Sequence, residues 1–509
     1  MKTVLGNRLL SLLLAGLMLF SCIGCVEQKP VTDAPSVPGE TQMPSAEQSL
    51  PAEEGSLVNN GFDETQIVLQ FAAISDFQHG QNIVDTYGRG KWALKQLKER
   101  ALEYTDKGLD AVLIAGDLIY NSTTAQVEEF GKMYREVLDP AQVPAIFALG
   151  NHDVQVGASY TKEELKMEDY YRIFGDDFRS YETETSNLDI GCTHQIVNGY
   201  HFLTINAIDT SYPKIDSGNV VYSQEALDWL DKTLATITAE EPDQYVFIAT
   251  HPVIYDTVFG SDLITGGTNW YTWDLTPVLE KYPQVVTFGG HLHFTISDER
   301  SIMQDKFTSL DCGAIAYMAT DPGNYRHMRS ATVMKDCTKV SCGYLAQVDI
   351  HGNVRFIRMN FYLEQDYKEP FVISAPAEDG SHLKAYTKER GNPKNNDAPV
   401  LAEDAISVED NRDSAGDKPL TVRLTFRSGT DDDAIYNYVL TVREGDAEVE
   451  TIRLLADSYL HATPAEMRES WMINLDRASY FTGHTYTIHM VAYDSWGASS
   501  NEVVYEYAP

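Results

Sequence analysis

Two histidines one residue apart follow a glycine pair in Phe288-Gly289-Gly290-His291-Leu292-His293. Imidazoles at i and i+2 turn toward one point only where glycine permits unusual backbone angles and close approach. A loop of this kind can offer two nitrogen ligands to a metal. Four more polar stretches share the design: Ser75-Asp76-Phe77-Gln78, Gly116-Asp117-Leu118-Ile119-Tyr120, Gly150-Asn151-His152-Asp153 and Thr250-His251-Pro252. Each lies where an apolar run stops, at Ile67 to Ile74, Ala111 to Ala115, Ala145 to Leu149, Tyr245 to Ala249 and Val285 to Phe288. Sites in α/β proteins gather beyond the carboxyl ends of strands. Five such ends bearing Asp, Asn and His read as one constellation.

Between these ends the pattern turns helical. Leu94, Leu97, Ala101 and Tyr104 recur at helical spacing. Further helices are expected around Ala125 to Val137, over the charged amphipathic stretch Thr161 to Phe174, and from Ser223, a plausible N-cap, to Leu234. Alternation of strand and helix means parallel pairing through crossover helices. Tyr200 to Ile208 reads as another buried strand, while Ser341 to Ile350 and Val354 to Phe361 suggest a second, partly antiparallel sheet. Asn392 to Pro399 is a turn-rich break. Beyond it Leu420, Val422, Leu424 and Phe426 alternate with polar residues, as do Tyr486, Ile488, Met490 and Ala492, which predicts a β-sandwich with at most a short helix near Thr463 to Arg468. The closing stretch Val491 to Asn501 resembles the last strands of an immunoglobulin or fibronectin-type module, whose expected role is packing or spacing, with glycan binding the alternative.

A chain of 509 residues calls for more than one domain. Lys+Arg 39 against Asp+Glu 75 gives a formal charge of -36, which argues against strong nucleic-acid binding. Lys2 and Arg8 precede an apolar core from Leu9 to Phe20, the pattern of an export signal. Leu19-Phe20-Ser21-Cys22 resembles a bacterial lipoprotein box with Cys22 as the lipidated residue; Cys25 is the alternative, and ordinary secretory cleavage a third. Val26 to Asn60 is rich in Pro, Ser, Glu and Thr without apolar periodicity, as in a flexible stalk. The expected order is a signal at 1–25, a linker at 26–60, an α/β domain at 61–391 and an all-β sandwich at 392–509, in an extracytoplasmic protein tethered to the bacterial membrane by lipid, or else secreted. An oxidising exterior permits bridges among Cys192, Cys312, Cys337 and Cys342, with Cys337 and Cys342 able to close a short loop.

The five motifs, in this order over roughly residues 66 to 365, resemble the calcineurin-like metallophosphoesterases. The resemblance implies a four-layer αββα sandwich, two metal ions (Fe, Mn or Zn), a small phosphoester substrate, and in-line attack on phosphorus by a metal-activated hydroxide with no phosphoenzyme. It implies Asp117 as the bridging carboxylate, Asp76 and His293 on the first ion, and Asn151, His251 and His291 on the second. His152 would stabilise the transition state and protonate the leaving alkoxide, with Asp153 orienting its ring or capping its loop. One position departs: Gln78 stands where the family has His, and a neutral amide oxygen is a weaker ligand than imidazole. His79 is adjacent but should leave on the opposite face. Gly-Asp-Leu-Ile-Tyr is similar to the Gly-Asp-x-x-Tyr of purple acid phosphatases, which would make Tyr120 a ligand of ferric iron; the alternative is a Tyr packed at a strand end. The aromatic stretch Thr268 to Trp273, with Tyr160 to Tyr171 and Asn324 to His327, supplies candidates for the rim of a substrate pocket. Two other functions stay open at this point, a lipid-tethered surface binding protein with a degenerate site and a secreted nucleotidase or nuclease.

Overall fold

The computed structural model describes residues 61–154, 165–206, 215–216, 219–263, 271–326, 328–412, 419–457 and 467–509. The expected signal and linker, with Cys22 and Cys25, lie outside them. Among the described residues no helix is long and apolar enough to cross a membrane.

Strands β1 (Ile67–Ile74), β2 (Ala111–Ile114) and β3 (Ala145–Phe147) pair in parallel. Helices α1 (Thr86–Leu102) and α2 (Thr124–Arg135) run between them. The Asp85 carboxylate caps α1 by accepting from the Gly88 N–H at 2.9 Å, and Thr123 caps α2 through the Gln126 N–H. Next come α3 (Met167–Phe174), the antiparallel hairpin β4 (Cys192–Val197) and β5 (Tyr200–Ile205), α4 (Gln224–Glu240), β6 (Val246–Ala249) and β7 (Val285–Gly289). Strands β8 (Ile302–Gln304), β9 (Thr308–Asp311), β10 (Cys342–Asp349), β11 (Val354–Asn360), β12 (Gln365–Asp366) and β13 (Phe371–Ile373) follow.

The strands form two mixed sheets. One has the order β12-β11-β10-β1-β2-β3, with β13 also on β11; the other has the order β8-β9-β7-β6-β5-β4. This corrects one expectation: the runs at Ser341 to Ile350 and Val354 to Phe361 are not a second sheet, because β10 pairs antiparallel with β1 and extends the first. The second sheet is built instead around the strands that end at His251 and His291.

Strand β1 reads as one apolar run because both of its faces are covered. Phe71 meets Phe247, Phe202 and Phe288 of the second sheet at centroid distances of 4.8, 5.1 and 5.9 Å. On the other face Ala72 and Ile74 share a core with Leu94, Leu97, Val127 and Phe130 of α1 and α2. Helix α4 covers the second sheet in the same way, through Leu230, Leu234 and Ile237 against Leu203 and Ile248. The four described cysteines are buried and unpaired, so the Cys337–Cys342 loop is not closed.

Beyond residue 400 come β14 (Ile406–Arg412), β15 (Pro419–Arg427), β16 (Ile435–Glu444), β17 (Ala447–Leu455), β18 (Ser470–Leu475), β19 (Tyr486–Asp494) and β20 (Val503–Tyr507). They form a three-stranded sheet, β14-β15-β18, and a four-stranded sheet, β17-β16-β19-β20. Val422, Leu424 and Phe426 share a core with Tyr486, Ile488, Met490 and Ala492, the two sets expected to face inward. Of the stretch expected to be a short helix, residues 463–466 lie outside the described ones.

The β4–β5 hairpin holds a histidine pair that sequence spacing did not signal. His194 Nε2 lies 2.7 Å from His201 Nδ1, and His201 Nε2 lies 3.3 Å from Glu241. Burial, then the neighbouring His201, lowers the His194 pKa from 6.5 to about 4. The folded value is below the unfolded one, so this contribution is complete above pH 6.5 and is lost as the pH falls through about 4. It amounts to at most about 3 kcal/mol. Urea midpoints measured across this range should fall less steeply in His194→Gln than in wild type; parallel profiles would contradict the assignment.

Candidate metal centre

All five polar stretches meet at the common end of the two sheets. Asp76, Gln78, Asp117, His291 and His293 have φ of 54°, 43°, 54°, 69° and 55°, half of the ten non-glycine residues with positive φ among those described. Such conformations cost free energy and persist where the surroundings over-determine them. Here the loops hold each other: the Asp76 N–H donates to Gly116 O at 3.1 Å, the Gln78 N–H to Asp117 O at 2.9 Å, and the Gly290 N–H to His251 O at 2.9 Å. Two glycines are fixed by close approach. A Cβ on Gly290 would lie 2.0 Å from Ser75 Oγ and 2.7 Å from Asp76 Oδ2, and one on Gly150 would lie 2.1 Å from Asp117 Oδ1.

Asp76, Asp117 and His293 are buried, and one ligand atom from each lies within 4.8 Å of the others. Asp76 Oδ1 is 2.9 Å from His293 Nε2, while Asp76 Oδ2 accepts from the His291 N–H at 2.9 Å. Burial alone would raise the Asp76 carboxyl, but the charge and hydrogen bond of His293 outweigh it and hold the group well below the usual carboxylate range. Burial likewise opposes protonation of His293, and the Asp76 carboxylate overcomes it, raising the imidazole. A second group adjoins the first. Asn151 Oδ1 lies 2.8 Å from His291 Nδ1 and 3.0 Å from His251 Nε2, and the same His251 nitrogen is 3.5 Å from Asp117 Oδ1. Asp117 therefore touches both groups. Carboxylates and imidazoles converging in this way are a donor set suited to metal ions.

The Gln78 amide lies inside the first group, with Nε2 3.0 Å from His293 Nε2 and 3.2 Å from Asp117 Oδ2. Its Oε1 is buried without a hydrogen-bond partner. His79 points elsewhere, as expected, its Nε2 meeting Glu129 of α2 at 3.0 Å. The Tyr120 ring stacks on the His152 imidazole at 4.6 Å and 21°, and its carbonyl oxygen accepts from His152 Nδ1 at 3.0 Å.

Asp153 does not orient the His152 ring. Its carboxylate accepts from the N–H groups of Gly150, Ile119 and Leu118 at 2.8, 3.0 and 3.2 Å, tying two of the site loops together. Burial, then the neighbouring Asp117, raises its pKa to about 7.

Of the rim candidates, Tyr170 and Tyr171 are buried instead, and the Tyr170 hydroxyl donates to Asp153 O at 3.0 Å. Tyr160, Thr268 to Trp270 and His327 lie outside the described residues. Tyr271 and Trp273 cluster with Tyr255 at centroid distances of 5.1 to 5.8 Å, and Tyr255 and Trp273 are exposed.

Residues 69–294, which include every residue of the two donor groups, match the family model described as calcineurin-like phosphoesterase. This part of the chain belongs to the calcineurin-like phosphoesterases. The family is one of metal-dependent phosphoester hydrolases. Compared with curated protein sequences, the chain matches none of them. Among solved structures it is similar to a purple acid phosphatase from yellow lupin (Lupinus luteus) seeds, at 15% identity over 61% of this chain and 55% of that one, with a TM-score of 0.39. It thus spans little more than half of the lupin protein. A 5'-nucleotidase precursor from Thermus thermophilus aligns at 13% identity over 74% of this chain and 76% of that one, with a TM-score of 0.29. The phosphoesterase segment carries both donor groups on strand-end loops, and what it lacks relative to the family's motif is the histidine at position 78.

Proposed function

We propose that the protein is a dinuclear-metal phosphohydrolase acting on a small phosphoester. The observation that carries this reading is the convergence of Asp76, Asp117 and His293 from three separate strand ends to within 4.8 Å. Asp76, Gln78 and His293 would hold one ion, Asn151, His251 and His291 the other, and Asp117 would serve both. Ions bound there would lower the pKa of a water molecule and neutralise the phosphoryl oxygens.

The chain's own residues supply the rest. A carbonyl only accepts, so His152 Nδ1 must donate to Tyr120 O. That fixes the neutral tautomer with Nε2 as an acceptor, and in the protonated ring it leaves Nε2–H to hand its proton to the departing oxygen, a task suited to imidazole near neutral pH. Asp153 positions this histidine by holding the turn on which it sits. Gln78 takes the place of the missing first-motif histidine: turning the amide over would present its unpartnered oxygen to the donors around Asp76. On this assignment iron-loaded protein is colourless, and a purple band would transfer the role to Tyr120.

We also place the enzyme outside the cytoplasm, tethered through lipid at Cys22, and read the two C-terminal sheets as an immunoglobulin-like sandwich. The function is tested by measuring hydrolysis of an aryl phosphate, nucleotides, sugar phosphates and diesters after chelation and reloading with Fe, Mn or Zn. Metal-restored turnover is expected. Background rates with every metal and substrate would favour a surface binding protein that retains the fold.

A further inference from the structure

The C-terminal sheets lie in one compact unit with the phosphoesterase segment, Val58–Pro509, and they reach the metal centre through the stretch Ala314 to Tyr325. One end of this strap is bound to both sides of the first donor group. The Ile315 N–H donates to Ser75 O at 3.0 Å, the Ala316 N–H to Asp76 O at 3.0 Å and the Ala319 N–H to His293 O at 2.7 Å. His293 Nδ1 in turn donates to Tyr317 O at 2.9 Å, and the Tyr317 ring lies 4.3 Å from the imidazole. The peptide on either side of Tyr317 therefore sets both the tautomer and the tilt of His293.

The other end of the strap is held by β16. The hydroxyl of the buried Tyr436 donates to Asp321 Oδ1, and Thr320 Oγ1 lies 3.1 Å from the same hydroxyl. Tyr325 also donates to Asp321, at 3.1 Å. A second route starts from the same side chain. The Tyr436 ring meets Phe259 edge-on at 5.7 Å, and Phe259 packs on Phe294, the neighbour of His293, at 5.3 Å. The Arg300 guanidinium sits 3.5 Å from the Phe259 ring centroid and 5.1 Å from that of Tyr436, and is paired with Asp298 at 2.7 Å.

We propose that Tyr436 is a positioning residue for the first metal: by anchoring Asp321 it fixes the strap that orients His293, which makes the C-terminal β region part of the metal centre's support. This rests on the metal reading given above. Mere packing between the two regions would be served by the Tyr436 ring, whereas positioning requires its hydroxyl.

Tyr436→Phe separates these roles because it keeps the ring against Phe259 and Arg300. In the full chain, hydrogen exchange of the peptide covering residues 314–321 should accelerate, and cobalt(II) titration followed by visible absorption should show one of two sites weakened about tenfold, the low end for loss of an outer-shell partner. Met472→Ala, on the exposed face of β18, is the control and should match wild type in both readouts. Wild-type exchange and cobalt affinity in Tyr436→Phe would overturn the proposal, and so would faster exchange with unchanged affinity. A wild-type chain that takes up no cobalt would instead overturn the metal reading itself, a failure evident before any variant is compared.

Discussion

Asp117→Asn is expected to lower turnover by about 10²- to 10³-fold, the range seen when one group of an electrostatic transition-state cradle is removed. The substitution keeps side-chain shape and one oxygen. That oxygen can still accept the His152 N–H, which reaches Asp117 Oδ1 at 2.9 Å, so the turn carrying His152 should survive. What disappears is the negative charge common to both donor groups, facing His251 on one side and Gln78 on the other. Folding, followed by urea midpoint, should change little while bound metal falls below two equivalents. Full activity in the variant would mean that Asp117 is not shared.

His152→Ala should give the second large effect, with a different signature. The His152 ring stacks on Tyr120 and donates to its carbonyl, and the backbone N–H that reaches Asp117 Oδ1 is retained in the variant, so metal content should stay at the wild-type level. Turnover of an alkyl phosphate, whose departing alkoxide needs a proton, should drop by about 10²- to 10⁴-fold. An aryl phosphate with an acidic leaving group should lose much less. Equal losses on both substrates, or loss of metal, would assign His152 to ligation.

The five strand ends were legible because the chemistry leaves few choices. Close approach demands glycine at 150 and 290, ligation demands Asp, Asn or His, and strands covered on both faces show as unbroken apolar runs. The division of those strands between two sheets was not legible, since periodicity reports that a strand is buried and says nothing of which neighbour it takes. Strands β1 and β6 read alike yet lie in opposite sheets. Asp153 looked equally suited to two tasks because its partners are backbone amides, which carry no side-chain signature. The strap after β9 had a faint signal in the small residues Gly313, Ala314 and Ala316, which permit close backbone contact. Its anchor at Tyr436 is more than a hundred residues away and left no trace in spacing.

Anomalous scattering from crystals of the metal-loaded protein tests the central claim most directly. Two peaks about 3.5–4 Å apart, one on each side of the Asp117 carboxylate, are the predicted result. A single ion remote from Asp117, or no peak among Asp76, Asp117 and His293, would contradict it.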